Sequence, residues 1–168
     1  MDSGKKTINH VEIRKILPMQ DGYRMPGEYE PHRGCILIWP ERPGSWRNGA
    51  REAKKAFADV IRAIAKSEEV YLAASGKTFS EAEKLAQRLQ TDEALYPIRV
   101  FTAETDDAWA RDVGPTFVTD GQEVRGINWE FNAWGGTEDG LYASWEKDNR
   151  FRMRQEIRLR RWSTVLRI

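Results

Sequence analysis

The sequence holds one cysteine, Cys35, and two histidines, His10 and His32. A single cysteine excludes an intramolecular disulfide, and so few Cys and His residues supply no set at metal-ligand spacing. No run approaches the roughly 20 apolar residues of a membrane-spanning helix. Met1–His10 is polar and lacks the apolar core of a signal peptide. Charge of one sign is also missing: 27 Lys and Arg stand against 26 Asp and Glu, a net +1, so no global field draws the chain to nucleic acid or to an anionic membrane. There is no Gly-rich phosphate loop and no Gly-x-Ser-x-Gly nucleophile turn. Membrane proteins, disulfide scaffolds and several common enzyme classes therefore drop out. A reducing cytoplasm is the simplest compartment.

What is there is a chain of 168 residues, 40% hydrophobic and 32% charged, the profile of a folded water-facing domain. A domain of this length buries roughly 68–70% of the surface that its unfolded chain exposes. Tryptophan is abundant at seven copies, five of them from Trp39 to Trp134. Indoles offer flat, electron-rich faces to cations, and they also fill β-rich cores; composition leaves both readings open.

Residues 1–33 are charged and broken by Pro18, Pro26 and Pro31, which predicts mostly loop. Gly34 opens Cys35-Ile36-Leu37-Ile38-Trp39, an apolar run stopped by Pro40 that reads as a strand buried on both faces. From Asn48, a predicted N-cap, to about Lys66, the residues Ala53, Phe57, Val60, Ile61 and Ile64 recur at helical spacing. Val70–Ala74 is a second strand. Thr78-Phe79-Ser80-Glu81 has the form of a capping box ahead of the stripe Leu85, Ala86, Leu89. Ile98–Ala103 is a third strand, and Thr116–Val118, the turn Asp120-Gly121 and Glu123–Trp129 form a hairpin. Strands alternating with helices predict an α/β fold.

After Asn149 the composition shifts: Arg150, Arg152, Arg154, Arg158, Arg160, Arg161 and Arg167 crowd the last nineteen residues. Clustered Arg suits phosphate neutralisation, which makes a basic arm for RNA or an acidic partner one reading. The reading preferred on the abruptness of the change is a shifted reading frame or a mis-called gene end, with 150–168 foreign to what precedes it. The predicted organisation is thus 1–33 loop-rich, 34–149 the domain, and 150–168 an Arg-rich tail.

Chemistry concentrates in Thr105-Asp106-Asp107-Ala108-Trp109-Ala110-Arg111-Asp112-Val113-Gly114-Pro115, which packs three carboxylates, an Arg and a Trp beside a strand end. A carboxylate binds a guanidinium by parallel charge-assisted hydrogen bonds while an indole covers the cation's flat face. The same residues also serve a structure in which Asp112 pairs with Arg111 or caps a turn and Trp109 packs in a core.

This stretch does not stand alone. Met25-Pro26-Gly27-Glu28-Tyr29-Glu30-Pro31-His32 is followed by Trp39-Pro40-Glu41-Arg42, by Asp107-x-Trp109-x-Arg111-Asp112-x-Gly114-Pro115, and by Asn128-Trp129-x-Phe131-Asn132-Ala133-Trp134-Gly135-Gly136. In that order and spacing, over about 120 residues ending near Asp148, the chain resembles the N-terminal part of agmatine deiminases. The resemblance implies a pentein fold, a β/α propeller, of which this chain would hold roughly the first two ββαβ-type units of five. It implies hydrolysis of agmatine to N-carbamoylputrescine and ammonia on the route to putrescine, without a cofactor, and a homo-oligomer is compatible with the complete enzyme.

In that chemistry a Cys thiolate attacks the guanidinium carbon, a His moves the protons, and two Asp grip the guanidine nitrogens. Only the first carboxylate is carried over, onto Asp112 as catalytic residue; Asp107, Trp109 and Trp134 are expected to shape the substrate pocket. The family's nucleophile and base follow later in a chain about twice as long. Neither His10 nor His32 matches the base, and Cys35, inside an apolar run, is expected to be an inert thiol. Loss of the nucleophile costs on the order of a million-fold in turnover, so the expectation is a truncated and inactive agmatine deiminase. Two alternatives remain: a deiminase of peptidyl or free arginine, and a fragment whose basic tail binds RNA or a partner protein.

Overall fold

The computed structural model describes residues 11–13, 17–151 and 162–167. Along the chain come β1 (Val11–Ile13), β2 (Gly34–Ile38), α1 (Arg51–Ile64), β3 (Glu69–Ala74), α2 (Phe79–Leu89), β4 (Ile98–Thr102), α3 (Ala110–Val113), β5 (Thr116–Thr119), β6 (Val124–Asn128), α4 (Gly136–Asp139), α5 (Glu146–Phe151) and β7 (Trp162–Arg167). The fold is α/β. It divides into two compact units, one from the described residues of Tyr29–Gly114 and Glu130–Gln155, the other from those of Met1–Glu28, Pro115–Trp129 and Glu156–Ile168.

In the first unit β2, β3 and β4 pair in parallel in that order. Parallel neighbours need a long crossover, and α1 and α2 supply the two. Side chains alternate across the pleat. Leu37, Trp39, Val70, Leu72, Ala74, Ile98 and Val100 join Ile61, Ala65, Ala82, Leu85 and Leu89 from the helices in one core. Ile36, Ile38, Ala73, Phe101 and Ala103 face the other way, into a core completed by Val113, Phe131, Ala133, Tyr142 and Phe151. The central strand is accordingly buried on both faces. β2 lies at the sheet's edge, and only Ile38 within it is fully buried, where its apolar run predicted burial throughout.

Local start signals were overridden at both helices. Asn48 does not cap α1: Arg47–Ala50 forms a 3-10 turn in which Asn48, Gly49 and Ala50 take left-handed conformations at φ of 53°, 63° and 62°. Ala50 is the N-cap residue and provides no side-chain bond. Val60, expected on the apolar stripe, is 46% exposed, because the buried line runs through Phe57, Ile61, Ile64 and Ala65. At α2 Thr78 does occupy the N-cap but makes no capping hydrogen bond. Its hydroxyl donates instead to the Glu41 carboxylate at 2.8 Å, a stronger, charged acceptor.

The second unit is a sheet in the order β1-β7-β6-β5. β5 and β6 form the predicted antiparallel hairpin. Its turn closes through Asp120, whose carboxylate accepts from the amides of Gln122 and Glu123 at 2.8 Å each, and Gly121 supplies φ of 93°. A small core of Tyr23, Val118 and Ile127 lies in this unit, with the Arg125 guanidinium 3.9 Å from the centre of the Tyr23 ring. The loop reading of 1–33 missed β1 and a 3-10 turn at Pro18–Asp21. In the Arg-rich segment, Arg152, Arg154, Arg158, Arg160 and Arg161 fall outside the described residues, but the backbone of Trp162–Arg167 is β7, parallel to both β6 and β1. No helix among the described residues is long and apolar enough to cross a membrane.

The face assignment of α1 and β3 is tested by truncation. Leu72 is fully buried in the central strand, and Leu72→Ala is expected to lose about 2–5 kcal/mol in urea denaturation. Val60→Ala, on the solvent side of α1, is expected to change stability by less than about 0.5 kcal/mol. Equal losses from the two variants would refute the packing described.

Candidate functional site

β4 ends at Thr102, and the loop beyond it carries the acidic, Trp-containing motif into the single turn of α3. That turn is closed by the Trp109 carbonyl, which accepts from the amides of Asp112 and Val113 at 3.0 Å each. Gly114 follows because a Cβ there would collide with the Ala110 carbonyl oxygen. Val113 is fully buried, so Asp112, its neighbour, is turned outward and exposed.

A second loop brings an indole to this carboxylate. Trp134 Nε1 donates to Asp112 Oδ1 at 3.2 Å. Ala133 and Trp134 both adopt left-handed backbone, φ 54° and 65°, a conformation costly for residues with a Cβ. Ala133 is thereby sunk in the core while Trp134 stands 48% exposed. The loop closes as Leu141 N donates to the Ala133 carbonyl at 2.9 Å. The Trp134 ring meets Trp109 edge to face at 6.0 Å, Phe131 at 5.0 Å and Tyr142 at 6.3 Å. Trp109, 37% exposed, also lies against Trp46 at 6.0 Å with the planes tilted by 33°.

Of the residues singled out from sequence, Asp112, Trp109 and Trp134 are thus brought together with exposed surfaces. Asp107 is in the same loop but differently employed. It is 4% exposed; Oδ1 accepts from Trp46 Nε1 at 2.9 Å and from the Ala108 amide at 2.8 Å, and Oδ2 accepts from Ser45 Oγ. Its carboxylate fixes Trp46, the indole behind Trp109.

Three residues of this region were not singled out from sequence: Trp46, Tyr142 and Asp148. Asp148 is fully buried, and its carboxylate accepts from the amides of Asp106 at 2.7 Å and Asp107 at 3.4 Å and from the Tyr142 hydroxyl at 2.7 Å. Asp106 Oδ2 in turn accepts from the amides of Lys147 at 2.9 Å and Asp148 at 3.4 Å. Burial pushes the Asp148 carboxyl above the usual aspartate range and pushes the Tyr142 phenol up as well. The Arg42 guanidinium lies 4.2 Å from the centre of the Tyr142 ring and donates to the Asp106 carbonyl at 3.2 Å. Nothing in the residue types of Glu146-Lys147-Asp148 separates a buried acid from a solvated helical one.

Cys35 and His32 lie at the opposite, amino-terminal end of β2. His32 Nδ1 is 3.3 Å from Glu68 Oε2, and the half-buried Cys35 thiol donates to Glu68 Oε1 at 3.5 Å. Burial, reinforced by the Glu68 carboxylate, pushes this thiol up to about 11. His10 falls outside the described residues. What remains at the carboxyl-terminal end of the sheet is an exposed carboxylate flanked by two indoles, chemistry suited to a planar cation.

The family model of the Porphyromonas-type peptidyl-arginine deiminases matches residues 24–165. Agmatine deiminase of Pseudomonas aeruginosa (strain LESB58) is 49% identical over 133 residues, 79% of this chain and 34% of the relative. That of Stutzerimonas stutzeri (strain A1501) is 47% identical over the same share of each. Among solved structures, the agmatine deiminase of Enterococcus faecalis superposes with a TM-score of 0.81 at 36% identity, covering 95% of this chain and 41% of that one. The chain spans about a third of the length of the curated relatives it matches.

The Cys35 environment is tested by alkylation. The rate with iodoacetamide is expected to keep rising with pH well past the ordinary cysteine value of about 8.5, towards about 11. A rate that levels off near neutral pH would mean an activated thiol and overturn the reading of Cys35 as inert.

Proposed function

The chain belongs to the Porphyromonas-type peptidyl-arginine deiminase family, and we propose that it forms the guanidinium-gripping part of an agmatine deiminase. The observation that carries this reading is the Trp134–Asp112 hydrogen bond at 3.2 Å, which orients an exposed carboxylate beside two exposed indoles. A guanidinium is flat, delocalised and positive. A carboxylate meets its N–H edge with charge-assisted bonds, and indoles meet its plane or shield its edge. The names of the relatives supply the decarboxylated arginine, agmatine, as substrate.

In the complete reaction Asp112 holds guanidine nitrogens and keeps the cation's charge in place while a thiolate adds to the carbon, a His gives a proton to the departing nitrogen, and the C–N bond breaks to release ammonia. Trp109 and Trp134 line the pocket. Asp107, its oxygens engaged by Ser45, Trp46 and Ala108, contributes by holding Trp46 rather than by touching substrate. Cys35 is not the nucleophile: it lies at the wrong end of β2 with its thiol protonated. Ligand binding is the property that tests this reading.

The same reading extends to architecture. The β2-α1-β3-α2-β4 run and the hairpin after it correspond to the opening units of a pentein propeller, with the domain beginning near Gly34 after a loop-rich segment. For 150–168, the family match as far as residue 165 and the place of β7 in the sheet support counting most of this segment within the domain. A second substrate reading, peptidyl arginine, is favoured by the description of the family model alone.

Calorimetry decides among these. Agmatine is expected to bind, putrescine, which lacks the guanidinium, is expected not to, and Asp112→Asn is expected to weaken agmatine by about tenfold or more, the value of a charge-assisted hydrogen bond. Tighter binding of N-acetyl-arginine amide than of agmatine would favour peptidyl arginine. Equal agmatine affinity in wild type and Asp112→Asn would remove Asp112 from the site.

A further inference from the structure

Asp112 and Trp134 arrive on two different loops, and their hydrogen bond at 3.2 Å requires the loops to keep a fixed spacing. We infer that Asp148 is the positioning residue that sets this spacing, because its one buried carboxylate holds both loops. The inference rests on the guanidinium-binding reading of Asp112 and Trp134 for its functional meaning.

The first arm runs from Asp148 to the amides of Asp106 and Asp107 at 2.7 and 3.4 Å. Asp107 then anchors Trp46 and Ser45, and five residues later the chain reaches Asp112 on α3. The second arm runs from Asp148 to the Tyr142 hydroxyl at 2.7 Å. The Tyr142 ring meets Trp134 edge to face at 6.3 Å, and Leu141, its neighbour, donates its amide to the Ala133 carbonyl at 2.9 Å. Asp148 is itself held from behind, since Asp106 Oδ2 accepts from its amide at 3.4 Å and from that of Lys147 at 2.9 Å. The carboxylate touches neither Asp112 nor Trp134 in any of these contacts.

Chemistry explains the need for an acid. Three donors, two N–H groups and one O–H, converge on one fully buried side chain. A carboxylate accepts on both oxygens and suits all three; an amide of the same shape has one accepting oxygen and meets the Tyr142 hydroxyl only by donating to it, a weaker, neutral bond with the hydroxyl turned round. Asp148→Leu keeps the branched shape but leaves all three buried donors without an acceptor, which is strongly unfavourable and opens both arms. Tyr142→Phe opens only the second arm and leaves the first intact.

The experiment uses the full chain, with far-UV circular dichroism establishing that each variant is folded at the working temperature. Near-UV circular dichroism then reads the coupled indoles Trp46, Trp109 and Trp134, and calorimetry reads agmatine affinity. The expected result is a changed Trp band in Asp148→Leu, with agmatine affinity lower by about tenfold or more, and a smaller loss in Tyr142→Phe. A purely structural role would lower the melting temperature and leave both readouts alone in the folded variant, and that result overturns the inference. If Asp148→Leu does not fold, Tyr142→Phe decides: an unchanged Trp band and unchanged affinity overturn it. If wild type fails to bind agmatine, the ligand reading falls, while the Trp band in the variants still passes or fails the spacing claim.

Discussion

Asp106 and Asp148 exchange hydrogen bonds across the chain: each carboxylate accepts from the backbone amides at the other's position. This is an arrangement of two acids that repel, one of them fully buried. It persists because α5, only six residues long, begins with amides that have no helical partner, and Asp106 supplies the acceptor. The amides of Asp106 and Asp107, at the start of an irregular loop, have the same requirement and find it met by Asp148. A helix start and a loop start thus satisfy each other, and the loop leaving β4 takes one conformation instead of many.

The loops that leave the other two parallel strands are tied down in the same manner. Glu41, after β2, accepts from the hydroxyls of Ser75 and Thr78, after β3, at 2.8 Å each. Glu104, after β4, accepts from the Gly76 amide at 3.0 Å. Parallel strands deliver all of their following loops to one end of the sheet, which is why binding residues collect there. The acids at that end therefore include several turned inward to fasten loops, while Asp112 is turned outward beside two indoles. Cys35 and His32 belong to the other end, where the strands begin, and share Glu68 in the loop before β3.

This division also marks what was legible in the sequence. β2, β3, β4, the stripe of α2 and the hairpin follow from patterns that repeat within a few residues, and these were readable. Val60 and Ile61 are adjacent and both apolar; only packing against β3 decides which one faces in, a rotation of roughly 100° that composition does not report. Thr78 has the residue type of a cap and spends its hydroxyl on Glu41, a partner 37 positions away. β1 is too short to carry a pattern, and β7 lies among arginines whose composition suggested a foreign tail. In the candidate site, Asp112, Trp109 and Trp134 stood out because rare residue types cluster in the resembling motifs. Tyr142 and Asp148 could not, since their roles arise from three donors meeting on one buried acid, a fact of tertiary structure alone.

The backbone at Ala133 and Trp134 shows what the site demands of the fold. Two consecutive residues with side chains sit in left-handed conformations at φ of 54° and 65°, each at a cost of roughly 1–2 kcal/mol relative to ordinary backbone. Glycine at either position would remove that cost, yet each side chain has a use. The Ala133 methyl is fully buried in the core shared with Phe131 and Tyr142, and the indole of Trp134 reaches Asp112. The turn must therefore be held from outside. Gly136 N bonds to the Asn132 carbonyl at 2.7 Å, and Gly135 and Gly140 allow backbone approaches that a Cβ would block. The true glycines thus take the close contacts while the strained positions keep their side chains. An indole presented in this way has little freedom left to lose when a flat cation arrives beside Asp112, which is the physical sense in which the strained turn serves the proposed site.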